Sequence, residues 1–303
     1  MKRSRRNFSA GGAALLLSLW ALFLLSAMVI AWALDINAQL TLSGNANRLL
    51  EAEAMACSGA EVALHPQIKP GSRLLSLHKT NTISYETRIT GEGGRLNINW
   101  LIAGENPARL EILRKYLEVR GVELNERDHM IDSLLDWVDP DTLVRLNGAE
   151  AEGDYRPANT VLLRLDDVKK IKGWEEFAAA ANWGNDFTLN STGPIDLTWA
   201  SREVLLALPG MTEPLVDQFL QYRRGPDGED GTEDDAEFKT AEDVRIALGF
   251  SPDQFKQLAP LVGFRDQVLR VVSVGKSGDV TRVIRMVIRK AGAVPQLISW
   301  KEL

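Results

Sequence analysis

Residues 13–34, AALLLSLWALFLLSAMVIAWAL, run for 22 positions without a charge, and no other feature restricts the folding of this chain as strongly. At a rise of about 1.5 Å per residue, a helix of that length crosses a hydrocarbon layer roughly 30 Å thick. The leader before it, MKRSRRNFSAGG, carries Lys2, Arg3, Arg5 and Arg6, whereas the first charge after it is Asp35 and the first basic residue after it is Arg48. The positive-inside rule keeps the N-terminus in the cytoplasm and sends everything after Leu34 across the membrane, as a single-pass protein.

Three processing fates fit such a segment. A secretory signal needs a shorter apolar region, and its small-x-small site would be Ala31-Trp32-Ala33, with a bulky tryptophan inside it. A twin-arginine export signal fits Ser4-Arg5-Arg6-Asn7-Phe8, but the apolar stretch is strongly hydrophobic and no cofactor motif calls for export of a folded chain. In the third, Gly12 marks a cleavage point on the cytoplasmic side, Ala13 becomes the first residue, and the apolar helix is retained. The sequence beyond the membrane bears on this choice. No proline occurs from Ala13 to Leu64, apolar residues recur at helical spacing through Ile36, Leu40, Leu49, Leu50 and Ala54, and Pro66 closes the run. This predicts one helix of about fifty residues, apolar in its first half and amphipathic in its second. Gly44 and Gly59 weaken it by about 1 kcal/mol each relative to alanine.

The remainder is long enough, and with 45% hydrophobic residues in the chain apolar enough, to build a real core. The lone cysteine, Cys57, excludes an intrachain disulfide and reads as a small apolar side chain on the long helix. Four positive charges sit in the leader, so beyond it the net charge deepens from -6 to -10, a surface better suited to calcium than to nucleic acid. Enzymatic signatures are missing: His65, His78 and His129 have no metal-binding spacing, no G-x-S-x-G occurs, and Gly275-Lys276-Ser277 lacks the upstream glycine of a phosphate loop.

Along the exported part, residues 82–89 alternate in period two, Gly91-Glu92-Gly93-Gly94 punctuates, and Leu96-Asn97-Ile98-Asn99 alternates again, which predicts a β-hairpin. From Ala108 to about Phe264 the period is helical, with runs such as ARLEILRKYLEVRG, HMIDSLLDWV, SREVLLAL and EPLVDQFLQYRR. Strands return at 267–274, at 280–289 after a Gly-Lys-Ser-Gly-Asp turn, and at 297–300. The fold class is α+β: a long N-terminal helix on an antiparallel sheet, with a large helical block inserted between the strands.

Basic leader, glycine, apolar half-helix and amphipathic half-helix resemble the N-terminus of type IV pilins and type II secretion pseudopilins. Over nearly the whole chain the element order resembles the minor pseudopilin K family. The pieces that carry this are ALLLSLWALFLLS, GRLNIN (94–99), DSLLDWVDPD (132–141), GAEAEGDYRPAN (148–159), IDLTWASREVLLALPGMT (195–212) and GPDGEDGTEDDAEF (225–238). Where the family usually reads Asn-Thr-Ala, this chain has Thr198-Trp199-Ala200, which leaves the local helix cap open.

The resemblance implies a leader at 1–12, a transmembrane helix at 13–34, pseudopilin helix and first strands at 35–100, a helical insert at 101–264 and closing strands of a pilin-type sheet at 265–303. It also implies a non-enzymatic subunit of the inner membrane, cut after Gly12 by a prepilin peptidase and methylated at Ala13, with its bulk in the periplasm. The implied partners are pseudopilins I, J and H, the pseudopilus and, further out, secreted substrates. The fifth residue of the mature chain would be Leu17. Main pilus subunits carry a glutamate there to pair with a neighbour's N-terminal ammonium, and a leucine cannot do so, which suits a cap that starts or tops a filament. Leu17, with Leu40, Leu49 and Leu50, is the expected partner surface.

The loop 226–237 holds seven carboxylates and no basic residue. Such a loop is either hydrated or bridged by a cation, and pseudopilins resemble it in using DG-x-x-G-T-x-D-D loops for calcium; Asp227, Glu229, Asp230, Asp234 and Asp235 are the expected ligands. A second group, Asp136, Asp139, Asp141, Glu150 and Glu152, reads as capping and turn aspartates. Residues 201–224 also resemble the helix-hairpin-helix modules of DNA-uptake proteins, the alternative reading. Against it, Thr212 and Glu213 replace the second glycine and its cation, and between Asn190 and Phe264 there are 14 acidic and 6 basic residues.

Overall fold

The computed structural model describes residues 10–180, 182–292 and 294–303, with side chains from residue 14 onward. The basic residues of the leader lie outside the described residues; at the expected cleavage point, Gly12 and Ala13, only the backbone is described, and it is helical.

Helix α1 runs without a break over Ala10–Leu64, 55 residues. Next come the short strand β1 (Ser76–His78), β2 (Ile83–Gly91) and β3 (Leu96–Asn97), the helices α2 (Ile98–Ile102), α3 (Pro107–Val119), α4 (Leu124–Val138) and α5 (Glu175–Ala179), and the two-residue strands β4 (Phe187–Thr188) and β5 (Ile195–Asp196). Helices α6 (Arg202–Leu206), α7 (Glu213–Arg223), α8 (Ala241–Ala247) and α9 (Pro252–Leu258) follow, then β6 (Val262–Gly263), and finally β7 (Val268–Ser277), β8 (Val280–Arg289) and β9 (Gln296–Glu302).

The main sheet has five antiparallel strands in the order β1-β2-β7-β8-β9. Everything between β2 and β7 is therefore an insertion between two neighbouring strands. The expected hairpin is corrected here: β2 pairs with β1 and β7, whereas Leu96-Asn97 pairs in parallel with Phe187-Thr188. The reason is local. Asn97 accepts a hydrogen bond from Trp100 N–H and so caps α2, which ends the strand after two residues. The insert is mainly helical but includes the parallel β3–β4 and β5–β6 pairs, and residues 139–164 run through it without a helix or a strand.

Helix α1 lies across β2, β7 and β8, and its contact stripe is Ala52, Met55, Ala56, Ala60 and Ala63, all buried. The periodic residues Leu40, Leu50 and Ala54 lie off this stripe and are exposed. Backbone proximity selects the small residues. A Cβ on Gly59 would lie 2.3 Å from Thr87 Oγ1, and one on Gly275 would lie 2.0 Å from the carbonyl oxygen of Ala52. With Ile89, Val271, Ile284, Met286 and Ile288, Ala56, Ala60 and Ala63 form a small core under the helix, and a second, larger core fills the insert around Trp174, Phe187, Tyr116 and Phe219.

Candidate functional site

Three features outside the two cores can carry function: the uncovered part of α1, the acidic loop, and the junction that fixes the insert to the sheet. From Ala14 to Leu34 every side chain of α1 is exposed, and the helix is long and apolar enough to cross a membrane. Of the expected partner residues, Leu17, Leu40 and Leu50 stand exposed, and Leu49 is half-buried near the start of the sheet contact. Leu17 is 71% exposed and Leu40 67%, so the described residues cover neither.

The acidic loop bends at Gly225, Gly228 and Gly231, each with positive φ, conformations that favour glycine. Asp227 Oδ1 accepts from Glu229 N–H (2.8 Å), Asp234 Oδ2 from Asp227 N–H (3.2 Å), Asp234 Oδ1 from the Thr232 hydroxyl (2.8 Å), and Asp235 Oδ2 from Gly231 N–H (2.6 Å). The Thr232 hydroxyl and the Asp227 N–H hold the Asp234 carboxyl below its usual range, while burial pushes that of Asp235 up against the pull of Gly231 N–H. Asp230 faces the other way, toward Arg223 (2.6 Å) and Arg224 (3.0 Å). Among the described residues no three metal-ligating side chains converge on one point. The five expected ligands thus divide into a loop group around Asp227 and Asp234 and one residue, Asp230, that binds the loop to α7.

Glu92, fully buried at the end of β2, sits at the junction. It accepts from Arg270 Nε (2.7 Å) and Nη2 (2.8 Å), from Arg95 (3.3 Å) and from the Thr188 hydroxyl (2.6 Å), so one carboxylate joins β2, β7 and β4. Burial pushes this carboxyl up, but Arg270, Arg95 and Thr188 outweigh burial and hold it below its usual range. Beside it, Asp196 accepts from Thr198 N–H (2.9 Å) and Asp266 N–H (2.8 Å). Trp199 lies against Gly91 and Gly94, where any Cβ would strike it. The cap left open by Thr198-Trp199-Ala200 is supplied by Ser201, which accepts from Val204 N–H. Glu92 and Asp196 escaped sequence reasoning, since each is a lone carboxylate whose partners are distant in the chain. The only signal was an acidic residue inside a glycine cluster.

The second acidic group is organised around one arginine. Arg145 pairs with Asp136 (2.5 Å), Asp139 and Glu105 (2.7 Å), with Asp136 fully buried, and this pins the irregular stretch to the end of α4. The segment with the helix-hairpin-helix resemblance is packed inward: Val204, Leu205, Leu208, Val216 and Phe219 are buried, and Arg202, the cation beside the turn, is engaged by Asp217 (2.8 Å) and Glu213 (3.6 Å). Lys115, the other cation at the turn among the described residues, is paired with Glu118 (2.8 Å), so both cations there are engaged by carboxylates rather than held open for a phosphate.

Residues 94–181 match the family described as type II secretion system (T2SS), protein K. A chain from the crystal structure of the GspK-GspI-GspJ complex of the enterotoxigenic Escherichia coli type 2 secretion system has a similar fold. The TM-score is 0.59 at 14% identity, covering 89% of this chain and 99% of that one. No curated protein matches the sequence.

Proposed function

We propose that the chain, which matches the type II secretion protein K family over residues 94–181 and shares the fold of GspK, is a minor pseudopilin that caps the pseudopilus at its periplasmic tip. The observation that carries this is the placement of the insert. A block running from Glu92 to Gln267 emerges between β2 and β7 of the pilin-type sheet and is bonded to it through Glu92 and Arg270. A block of that size projecting from the sheet would obstruct a subunit stacked above it, which supports a place at the end of the assembly. Leu17, in place of a carboxylate, also supports a subunit that does not repeat along a filament. The role is structural, with no catalytic step assigned to any residue.

On this reading the precursor is inserted with its leader in the cytoplasm, cut after Gly12 and methylated at Ala13, and its bulk is periplasmic. Pseudopilins I and J, named with GspK in the similar complex, would seat on α1 around Leu40, Leu49 and Leu50, with H joining below. Exposed leucines on a helix that the sheet covers on only one side support that surface. Co-expression of the full-length chain with I and J, extraction in mild detergent and size-exclusion chromatography test it. A three-subunit complex is expected, in which the intact mass of this chain begins at Ala13. Leu40→Glu with Leu50→Glu should abolish the complex while leaving helical content unchanged. A start at or beyond Leu34, or assembly unaffected by the charged variants, would sink the proposal.

Calcium enters as a separate expectation. The loop does not present a closed cage, so an ion would have to draw Asp227, Asp234 and Asp235 together with backbone oxygens. The crowding of seven carboxylates in residues 226–237 supports it. At a hundred times its dissociation constant, calcium should stabilise the chain by about 2.7 kcal/mol, several degrees in melting temperature. Asp234→Ala should remove that gain. Identical melting in calcium and in chelator would show that the loop is only hydrated.

A further inference from the structure

The face of the sheet turned away from α1 carries an arrangement that neither the secretion reading nor the acidic loop uses. Strand register places Arg88 of β2, Val272 of β7, Arg285 of β8 and Lys301 of β9 in one cross-strand row. Arg270 of β7 stands in the next row, opposite Val287. Directly opposed like charges destabilise a sheet, and Arg285 faces Lys301. Among the described residues neither has an ion-pair partner, and the Nε of Arg285 is buried without an acceptor. Among the described residues two carboxylates line this ground, and both are already engaged: Glu92 by Arg270 and Arg95, and Asp166, across from Lys301, by Lys169. A cleft of about 830 Å³ opens over this ground between the insert and the free edge of the sheet, walled by Trp183 and Ile298 and bordered by Arg164. Its outer wall, β9, is the terminal strand, so one row of its backbone groups pairs with no strand.

Surplus cations that repel one another, a buried guanidinium N–H without an acceptor and an open strand edge make one consistent binding site. The geometry points to an acidic, extended segment of a partner protein, whose carboxylates complete Arg285 and Lys301 and whose backbone runs along β9. Strand register, charge, the buried Arg285 Nε, the cleft and the open edge of β9 define this site independently of the tip assignment.

The test uses the full-length chain in mild detergent and a fluorescein-labelled octaglutamate peptide, read by anisotropy. Saturable binding is expected, with octalysine silent. Arg285→Gln and Lys301→Gln should each weaken it by at least about tenfold. Arg202→Gln, which removes an arginine already paired with Asp217 outside the cleft, should leave it unchanged. Both cleft variants should melt no lower than the parent, because each removes a like-charge contact; a lower melting point would show that the row is structural and overturn the site. Binding unaffected by either variant would overturn it too. So would displacement of the peptide by a short single-stranded oligonucleotide at lower concentration than by unlabelled octaglutamate. Self-association without peptide, abolished by Arg285→Gln, would make the occupant a second copy of the chain and overturn the partner assignment.

Discussion

Replacing Gly275 by valine should destabilise the chain by at least about 3 kcal/mol, a fall of roughly 6 to 12 °C in melting temperature. A Cβ there would sit 2.0 Å from the carbonyl oxygen of Ala52 and 2.3 Å from the amide nitrogen of Ala56, both backbone atoms of α1. No rotamer change relieves that overlap, so the helix must lift from β7 and open the small core beneath it. Gly44→Ala in the same helix is the matched control. No atom lies within 4 Å of a Cβ at Gly44, so the change should stabilise by roughly 0.5–1 kcal/mol through helix propensity. Thermal unfolding of both variants by circular dichroism in one detergent decides the matter. If Gly275→Val melts with the parent, the helix does not ride on the sheet as closely as described.

The same contact shows what was and was not legible in the sequence. Absence of proline, helical spacing and Pro66 placed the end of α1 at Leu64, where it is found. The side that faces the sheet was not legible, because the leucines that dominate the periodicity point away and alanines do the packing. Close approach of two backbones requires small residues, and small residues leave no mark in a hydrophobicity pattern. Gly59, which reads in the sequence as a mild weakness, is a packing requirement against Thr87 and Ser273.

Strands betrayed themselves better than their partners did. The strand expected at 280–289 coincides with β8, whereas the hairpin expected across Gly91–Gly94 does not form. Period two reports which faces a strand presents, and pairing is set by contacts between residues far apart in the chain. The charged sites follow the same rule. Acidic clusters at 226–237 and 136–152 were visible as clusters, but the arginines that organise them, Arg223 and Arg145, stood out in no motif. An arginine outside any motif reads as solvated until the fold shows what surrounds it.

Arg223 is where that distinction has the largest energetic consequence in the insert. It sits on the buried side of α7, 2% exposed, and Nη1 donates to the carbonyls of Leu197 (3.0 Å) and Ala200 (2.7 Å). Nε and Nη2 both donate to Asp230 Oδ1, at 3.0 and 2.6 Å. One side chain therefore ties α7, the segment before α6 and the acidic loop together. Arg223→Met keeps the bulk but leaves two carbonyls and part of a carboxylate without donors, and should cost about 3–5 kcal/mol. Lysine should rescue little, since a single ammonium cannot span both carbonyls and Asp230 in this fork. Asp230→Asn should cost less than Arg223→Met, because the arginine keeps its carbonyls. Combining Arg223→Met with Asp230→Leu should cost clearly less than the sum of the two single changes, the signature of a coupled pair. Denaturant midpoints of these variants, with Asp230→Leu alone to close the cycle, provide the measurement. Strict additivity, or a harmless Arg223→Met, would mean that the loop is held by Arg224 and backbone contacts alone.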